Sequence, residues 1–266
     1  SKEKADDEAI EVFTTNLRQL LLAAPLGQKS VMGVDPGIRT GCKVVVLDKQ
    51  GNLLFHDVVF PFPPKGNAEN ATRHFAKIAA QYSIEAVAVG NGTASRETTD
   101  ILNKVFSEGD NQKPVYGVSE DGASIYSASK IARDEFPDQD VTVRGAVSIA
   151  RRLMDPLAEL VKIDAKSIGV GQYQHDVDQT RLKESLQQTV ESVVNHVGVD
   201  VNTASRHLLT YISGLGPTLA QNIVDYRAEN GAFPNRKSLL KVPKMGAKTF
   251  EQAAGFLRVT DSDTPL

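Results

Sequence analysis

The 266 residues carry 30 Lys and Arg against 33 Asp and Glu, a net charge of −3, with 41% apolar and 24% charged residues. That balance is ordinary for a folded globular chain and suggests about two domains. The single cysteine, Cys42, excludes an internal disulfide and fits a reducing compartment. No apolar run approaches the roughly 20 residues needed to span a bilayer, and the acidic, helical N-terminus is no signal peptide, so a cytoplasmic protein with no membrane partner is expected. Charge is unevenly spread: residues 201–260 hold eight Lys and Arg against three Asp and Glu, a net +5, while residues 1–200 stand at −6. A basic block on an acidic chain points to a polyanion partner, the plain alternative being a solvated face.

Residues 3–24 place Ile10, Phe13, Leu17, Leu20 and Leu21 at helical spacing, and Pro25 and Gly27 end that helix. It begins without a good cap, which suggests the end of a longer helical region preceding Ser1. Val31, Met32 and Val34 form a short apolar run that reads as a buried strand, with Asp35 at its end and Pro36-Gly37 turning the chain. Residues 42–48 and 53–59 give second and third strands joined by a turn at 49–52. A helix over 70–82 presents Phe75, Ile78 and Ala79 on one face, and 85–90 is a buried fourth strand. Ser95 is expected to cap a helix through Phe106, with Glu97 and Asp100 in its early turns. A fifth strand over 113–119, a helix near 123–134 and another over 141–153 follow. A buried first strand ending in Asp, then two hairpin-connected strands, then alternating helices and strands, is how ribonuclease H-like folds are built. The expectation is an α/β domain with a mixed five-stranded sheet and helices on both faces. In such folds the first Asp holds a divalent metal against a phosphate; an Asp-Pro-Gly turn is the plain alternative.

The stretch 167–177 is Gly-rich, with neither a P-loop nor a dinucleotide fingerprint, and reads as a tight turn. His175 beside Asp176, with no second His or Cys nearby, reads as a packed or surface His and not a metal ligand. An amphipathic helix is expected over 180–197. Tyr211-Ile-Ser-Gly-Leu-Gly-Pro-Thr-Leu-Ala-Gln-Asn-Ile-Val224 then matches the helix-hairpin-helix pattern of apolar residue, x, Gly, apolar residue, Gly, three residues, Ala, two residues, Ile. The spacing has a chemical reason. Gly214 and Gly216 let the backbone fold tightly and approach a phosphate, and the following helix opens with unpaired N–H groups and the positive end of its dipole. Residues 239–254 repeat the pattern more loosely, with Lys244 and Lys248 flanking Gly246. An αα-hairpin used only for packing is the alternative for both copies.

Val-Asp-Pro-Gly-Ile-Arg-Thr-Gly at 34–41, Gly-Asn-Gly-Thr-Ala-Ser-Arg-Glu-Thr at 90–98 and Ser-Ile-Gly-Val-Gly-Gln-Tyr-Gln-His-Asp-Val at 167–177 occur in that order. Asp-Val-Asn-Thr-Ala-Ser at 200–205 and Phe-Glu-Gln-Ala-Ala-Gly-Phe-Leu-Arg-Val at 250–259 complete the series. With these motifs almost the whole chain resembles the Tex family of bacterial transcription accessory proteins. The resemblance implies a YqgF-type ribonuclease H-like domain followed by an all-α domain of tandem helix-hairpin-helix units. It also implies nucleic-acid binding, a role around transcription and kinship with a eukaryotic transcription elongation factor. Full-length members add N-terminal helical domains and a C-terminal OB-type RNA-binding domain.

The boundaries expected are an N-terminal helix at 1–29, the ribonuclease H-like domain at 30–157, a connecting segment at 158–200 and the helix-hairpin-helix domain at 201–266. Gly214, Leu215, Gly216, Thr218, Lys244, Gly246 and Lys248 are expected to bind single- or double-stranded RNA or DNA, with the transcription machinery as a further partner. No cofactor and no metal site are expected. The competing reading is a metal-dependent nuclease of Holliday-junction-resolvase type, which needs acids on both ions. Active relatives of the fold place acids on the first strand, at the end of the fourth and on the last helix. Asp35 fills the first position, Asn91 puts an amide at the second, and Asp155 is the best match for the third, with Glu120 as a stand-in.

Overall fold

The computed structural model describes residues 1–107, 111–171 and 173–259, which form two compact units. One is the continuous stretch Ala24–Glu159; the other joins Ser1–Ala23 to the chain from Leu160 onward. This partition departs from the expected boundaries because the first helix has its packing partner far downstream.

Within Ala24–Glu159, five strands form one sheet: β1 (Val31–Asp35), β2 (Cys42–Leu47), β3 (Leu53–Val59), β4 (Ala86–Gly90) and β5 (Val115–Val118), in the order β3-β2-β1-β4-β5. β1 runs antiparallel to β2, with Asp35 opposite Lys43, and parallel to β4, with Val31 opposite Ala86; β4 runs parallel to β5. The apolar runs of β1, β2 and β4 are buried on both faces, as the centre of a mixed sheet requires, while the edge strands β3 and β5 are partly exposed. On one face α2 (Ala68–Tyr82) and α3 (Ser95–Phe106) pack Phe75, Ile78, Ile101, Leu102 and Phe106 against Met32, Val34, Val44, Val87 and Val89. On the other, α6 (Val141–Met154) packs Val143, Ala146, Val147 and Ala150 against Val31, Val45 and Ala88. Gly33 is what lets α6 come close: a Cβ there would stand 2.8 Å from the Ala150 Cβ and 3.0 Å from the Ala146 carbonyl. This is the mixed five-stranded ribonuclease H-like plan with helices on both faces.

Two local expectations are corrected. The cap of α3 is Ala94, in the left-handed region at φ 62°, with Ser95 as the first helical residue. The single helix expected at 123–134 is two, α4 (Ala123–Ala128) and α5 (Lys130–Glu135), because Ser129 leaves helical geometry and its hydroxyl caps the second at Ala132 N, 3.2 Å away. Pro156 opens one more short helix, α7 (Pro156–Leu160).

In the other unit, α1 (Lys2–Leu21) has a cap after all: Ser1 Oγ accepts from Lys4 N at 3.3 Å. It packs along α8 (Gln179–Val197), burying Ile10, Phe13, Leu17 and Leu21 on its side and Leu182, Leu186, Val190 and Val193 on the other. Asn16 Nδ2 donates to Val170 O at 2.7 Å, and Asp6 Oδ2 accepts from Asp178 N at 3.2 Å. So the stretch expected to connect, 158–200, supplies half of a buried helix pair. Gln172 in its Gly-rich turn lies outside the described residues, and His175 is exposed beside Asp176. After α8 come β6 (Val199–Asp200), α9 (Arg206–Leu209), α10 (Gly216–Asn230), a 3₁₀ segment (Arg236–Lys241), α11 (Ala247–Ala254) and β7 (Leu257–Arg258), the last pairing with β6. Among the described residues no helix is long and apolar enough to cross a membrane.

Candidate functional site

β1, β4 and β5 run in the same direction, so their carboxyl ends lie on one edge of the sheet, where open α/β sheets place their ligands. Asp35 closes β1 there, Asn91 follows β4, and Glu120 follows β5. The Glu120 carboxylate lies against Gly90 and Gly92; a Cβ on either would collide with it, which is why the turn after β4 reads Gly-Asn-Gly. The backbone at Glu120 is held from two sides. Its N–H donates to Asn91 Oδ1 at 3.1 Å. Arg152, buried on α6, donates through Nη1 to the flanking carbonyls of Ser119 (3.1 Å) and Asp121 (2.6 Å).

Glu120 faces Asp35, and two carboxyls share a hydrogen bond only if one keeps a proton. Burial, the hydrogen bond that protonated Glu120 donates to Asp35 and the Asp35 charge push Glu120 up from 4.5 to about 7, against the opposing pull of the Gly92 N–H and Arg152. Below about pH 4.5 folded and unfolded chains both hold this proton. Between 4.5 and 7 only the folded chain does, so this group's contribution to stability falls as pH rises through that window. Glu120 is half-buried, and water screens part of the effect. Urea midpoints measured from pH 5 to pH 8 are expected to decline, and Glu120→Gln is expected to flatten the decline; parallel profiles for the two proteins would refute the pairing.

Asp155 does not join these two. Its Oδ1 accepts from Ala158 N at 3.1 Å and caps α7. Among the described residues no group of three His, Cys, Asp or Glu side chains is placed to hold a metal ion, and the amide oxygen of Asn91 is already engaged by Glu120 N. The residues present therefore do not fit the two-ion centre of an active ribonuclease H-like nuclease. Arg152 carried no signal in the sequence, where it reads as one of two arginines at a helix end.

The other unit holds the hairpins. Ser213, Gly214 and Leu215 link α9 and the turns after it to α10. Gly214 (φ 87°) and Gly216 (φ 70°) both occupy the left-handed region, as the motif requires, and Pro217 starts the helix. Ala220 and Ile223 are fully buried where the helices cross. Leu215 N closes the turn on Ile212 O at 3.0 Å. Thirty residues on, Met245 N closes the same bond on Val242 O at 3.0 Å, with Leu215 and Met245 both buried as plugs. The register is Gly214 on Lys244 and Gly216 on Gly246. The left-handed residue of the second turn is Lys244 (φ 67°), and Gly246 sits at an ordinary φ of −82°. Gly214, Thr218, Lys244, Gly246 and Lys248 are exposed, and open space surrounds the Cα of Gly216 and of Gly246. The first turn thus offers backbone N–H groups at a helix start; the second offers the same with two ammonium groups. Leu215, expected among the binding residues, is buried and shapes its turn from within.

Sheet order, the acid at the end of β1 and the repeated turn define the class: a ribonuclease H-like domain of YqgF type followed by a helix-hairpin-helix region. Models of the Tex protein YqgF-like domain and of the helix-hairpin-helix motif match residues 29–154 and 194–258. The segment belongs to the Tex family. "Protein tex" of Bordetella pertussis is 58% identical over 266 residues, covering 100% of this chain and 34% of that protein. "Transcriptional accessory protein Tex" of Neisseria gonorrhoeae is 59% identical over 268 residues, covering 100% and 35% respectively. "S1 RNA-binding domain-containing protein 1" of Homo sapiens is 46% identical over 261 residues, covering 96% of this chain and 26% of its own length. The chain spans about a third of the length of the first curated relatives it matches. Among solved structures, Thermus thermophilus RuvC matches 50% of this chain and 95% of its own, with 20% identity and a TM-score of 0.36.

Proposed function

We propose that this segment holds nucleic acid by its phosphate backbone, through the turns at Gly214–Thr218 and Lys244–Lys248, with the YqgF-like domain serving as a scaffold that does not cut. The observation carrying the reading is the repeat itself: two turns of matching register, each opening a helix with exposed N–H groups, one of them flanked by Lys244 and Lys248. Phosphate contacts carry no base identity, so little sequence preference follows. The names of two relatives support the reading: "transcriptional accessory" fits a partner in the transcription machinery, and "S1 RNA-binding" fits RNA.

The test is a titration against single- and double-stranded DNA and RNA at several salt concentrations. Two to four neutralised phosphates give a slope of log affinity against log salt of about −2 to −4 on duplex DNA. A slope near zero, or strong sequence preference, would overturn the reading.

The Asp35–Glu120 pair is what favours the alternative, a metal-dependent nuclease of Holliday-junction-resolvase type. An amide at position 91 supplies no charge to a hard cation, and Asp155 is committed to its cap. Incubation with branched and linear DNA and RNA in Mg²⁺ or Mn²⁺ is expected to leave the substrates intact. Cleavage that vanishes in Asp35→Asn protein would install the nuclease reading instead.

A further inference from the structure

The thirty-residue register that pairs the two turns also pairs two amide side chains lying outside them: Asn222 on α10 and Gln252 on α11. Each reaches across to the other hairpin. Asn222 Nδ2 donates to the carbonyl of Pro243, the second residue of the second turn, at 3.0 Å. Gln252 Nε2 donates to Ser213 Oγ, the second residue of the first turn, at 3.1 Å. Equivalent donors on equivalent helices thus meet equivalent positions on opposite turns. The acceptors differ in kind for local reasons. Pro243 has no polar side chain and offers only its carbonyl oxygen as acceptor. Ser213 has a hydroxyl, whose oxygen accepts from Gln252, while its own N–H donates to Asn195 Oδ1 at 2.9 Å. Gln252 also lies over Gly214, where an added Cβ would come within 3.1 Å of its Cδ.

We propose that Asn222 and Gln252 are positioning residues, a reciprocal pair of struts that fixes the separation of the two turns so that one nucleic-acid backbone engages both at once. The proposal rests on the reading that both turns bind phosphate. Neither side chain needs to touch the ligand. Two sites held at a fixed distance bind a stiff backbone as a single event, because the second contact forms at the high effective concentration set by the first. With the struts cut, each turn keeps its own conformation, closed by its own backbone bond and buried Leu215 or Met245, but the spacing between them wanders.

The test is a cycle in the whole 266-residue chain. Asn222→Leu with Gln252→Met removes both struts at nearly constant volume and no change of charge. Lys244→Gly with Lys248→Ala cripples the second turn. Affinity is measured for a fluorescein-labelled 20-base-pair DNA duplex and a 20-nucleotide RNA, with circular dichroism on every variant. Two exposed neutral hydrogen bonds set the scale. Strut removal is expected to weaken the tighter probe about fivefold while both turns work, and by less than about twofold when the second turn is already crippled. No loss in the otherwise unaltered chain overturns the proposal. So does an equal loss in both backgrounds, since side chains that merely support their own hairpin would act on a lone turn alike. If the lysine substitutions alone cost no affinity, or if neither probe binds, the phosphate-binding reading fails and the struts fall with it. Should the double strut variant unfold, the comparison is Gln252→Glu against Asn222→Asp, which add the same charge. The Ser213 hydroxyl can donate to the glutamate, whereas the Pro243 carbonyl repels the aspartate. Asn222→Asp must then bind more weakly; equal affinities overturn the proposal.

Discussion

A chain lacking residues 1–22 is expected to lose the fold of its helical unit while keeping that of Ala24–Glu159. α1 buries four large apolar side chains, Ile10, Phe13, Leu17 and Leu21, and covers the face of α8 that carries Leu182, Leu186, Val190 and Val193. At about 2 kcal/mol for each fully buried side chain, the gross loss from α1 alone is roughly 8 kcal/mol. Area-based figures are upper bounds, so on the order of 5 kcal/mol is the working value. That matches the whole stability of a typical domain. The polar ties go with it: Asn16 to Val170 O, Asp6 to Asp178 N and the Asp7–Arg181 ion pair. Hydrogen exchange read by mass spectrometry should show fast exchange across α8 and α10 in the truncated chain and unchanged protection in β1, β2 and β4. Retained protection in α8 would mean that α1 is dispensable.

The second large effect is on binding. Lys244→Ala with Lys248→Ala is expected to lower affinity for duplex DNA about sixtyfold at 0.1 M salt. Each phosphate contact contributes about 0.9 to the slope of log affinity against log salt, so two contacts are worth a factor of about 60 between 1 M and 0.1 M. The slope should become shallower by about 2, and all sequences should suffer alike. Because Lys244 stands at φ 67°, Lys244→Gly removes the same charge while relieving a conformation that L side chains rarely adopt. A loss that appears with alanine and not with glycine would therefore report backbone damage and not charge. Gly216→Val makes the converse test. Nothing lies within 4 Å of an added Cβ, so no clash arises, but φ 70° is closed to a β-branched residue and the first turn must distort. Unchanged affinity in a folded double-lysine variant would move binding elsewhere and leave the hairpins as packing elements.

The strands, their order and the first hairpin were legible because each is a local pattern. Val31, Met32 and Val34 need no partner to announce a buried strand, and Gly214, Gly216, Ala220 and Ile223 announce a hairpin within ten residues. What escaped depends on pairs separated by tens of residues, for which no period exists. Arg152 clamping the backbone around Glu120 is one such pair; α1 finding α8 across more than 150 positions is another. That Lys244 and not Gly246 takes the left-handed position was hidden for a different reason. Glycine is the default at positive φ, so a lysine there is invisible to composition and emerges only when the second turn is laid on the first. Asp155 looked like an acid of the sheet edge because it ends the last helix of the domain, yet Pro156 starts a new helix whose cap claims its carboxylate.

The interrupted course of the helical unit has a consequence for how the chain is made. Within its unit α1 leaves the ribosome before the rest and lacks its partner helix until α8 follows, some 160 residues later. At roughly 5–20 residues per second, that is a wait of about 8–32 s. Residues 24–159 are contiguous, and emerge and can close their sheet within that interval. During it α1 stands without α8 over Ile10, Phe13, Leu17 and Leu21, a surface that a holding chaperone would recognise. Assembly of these two units is thus ordered by connectivity: the α/β domain before the helical unit, and the two turns aligned only once α11 has been synthesised.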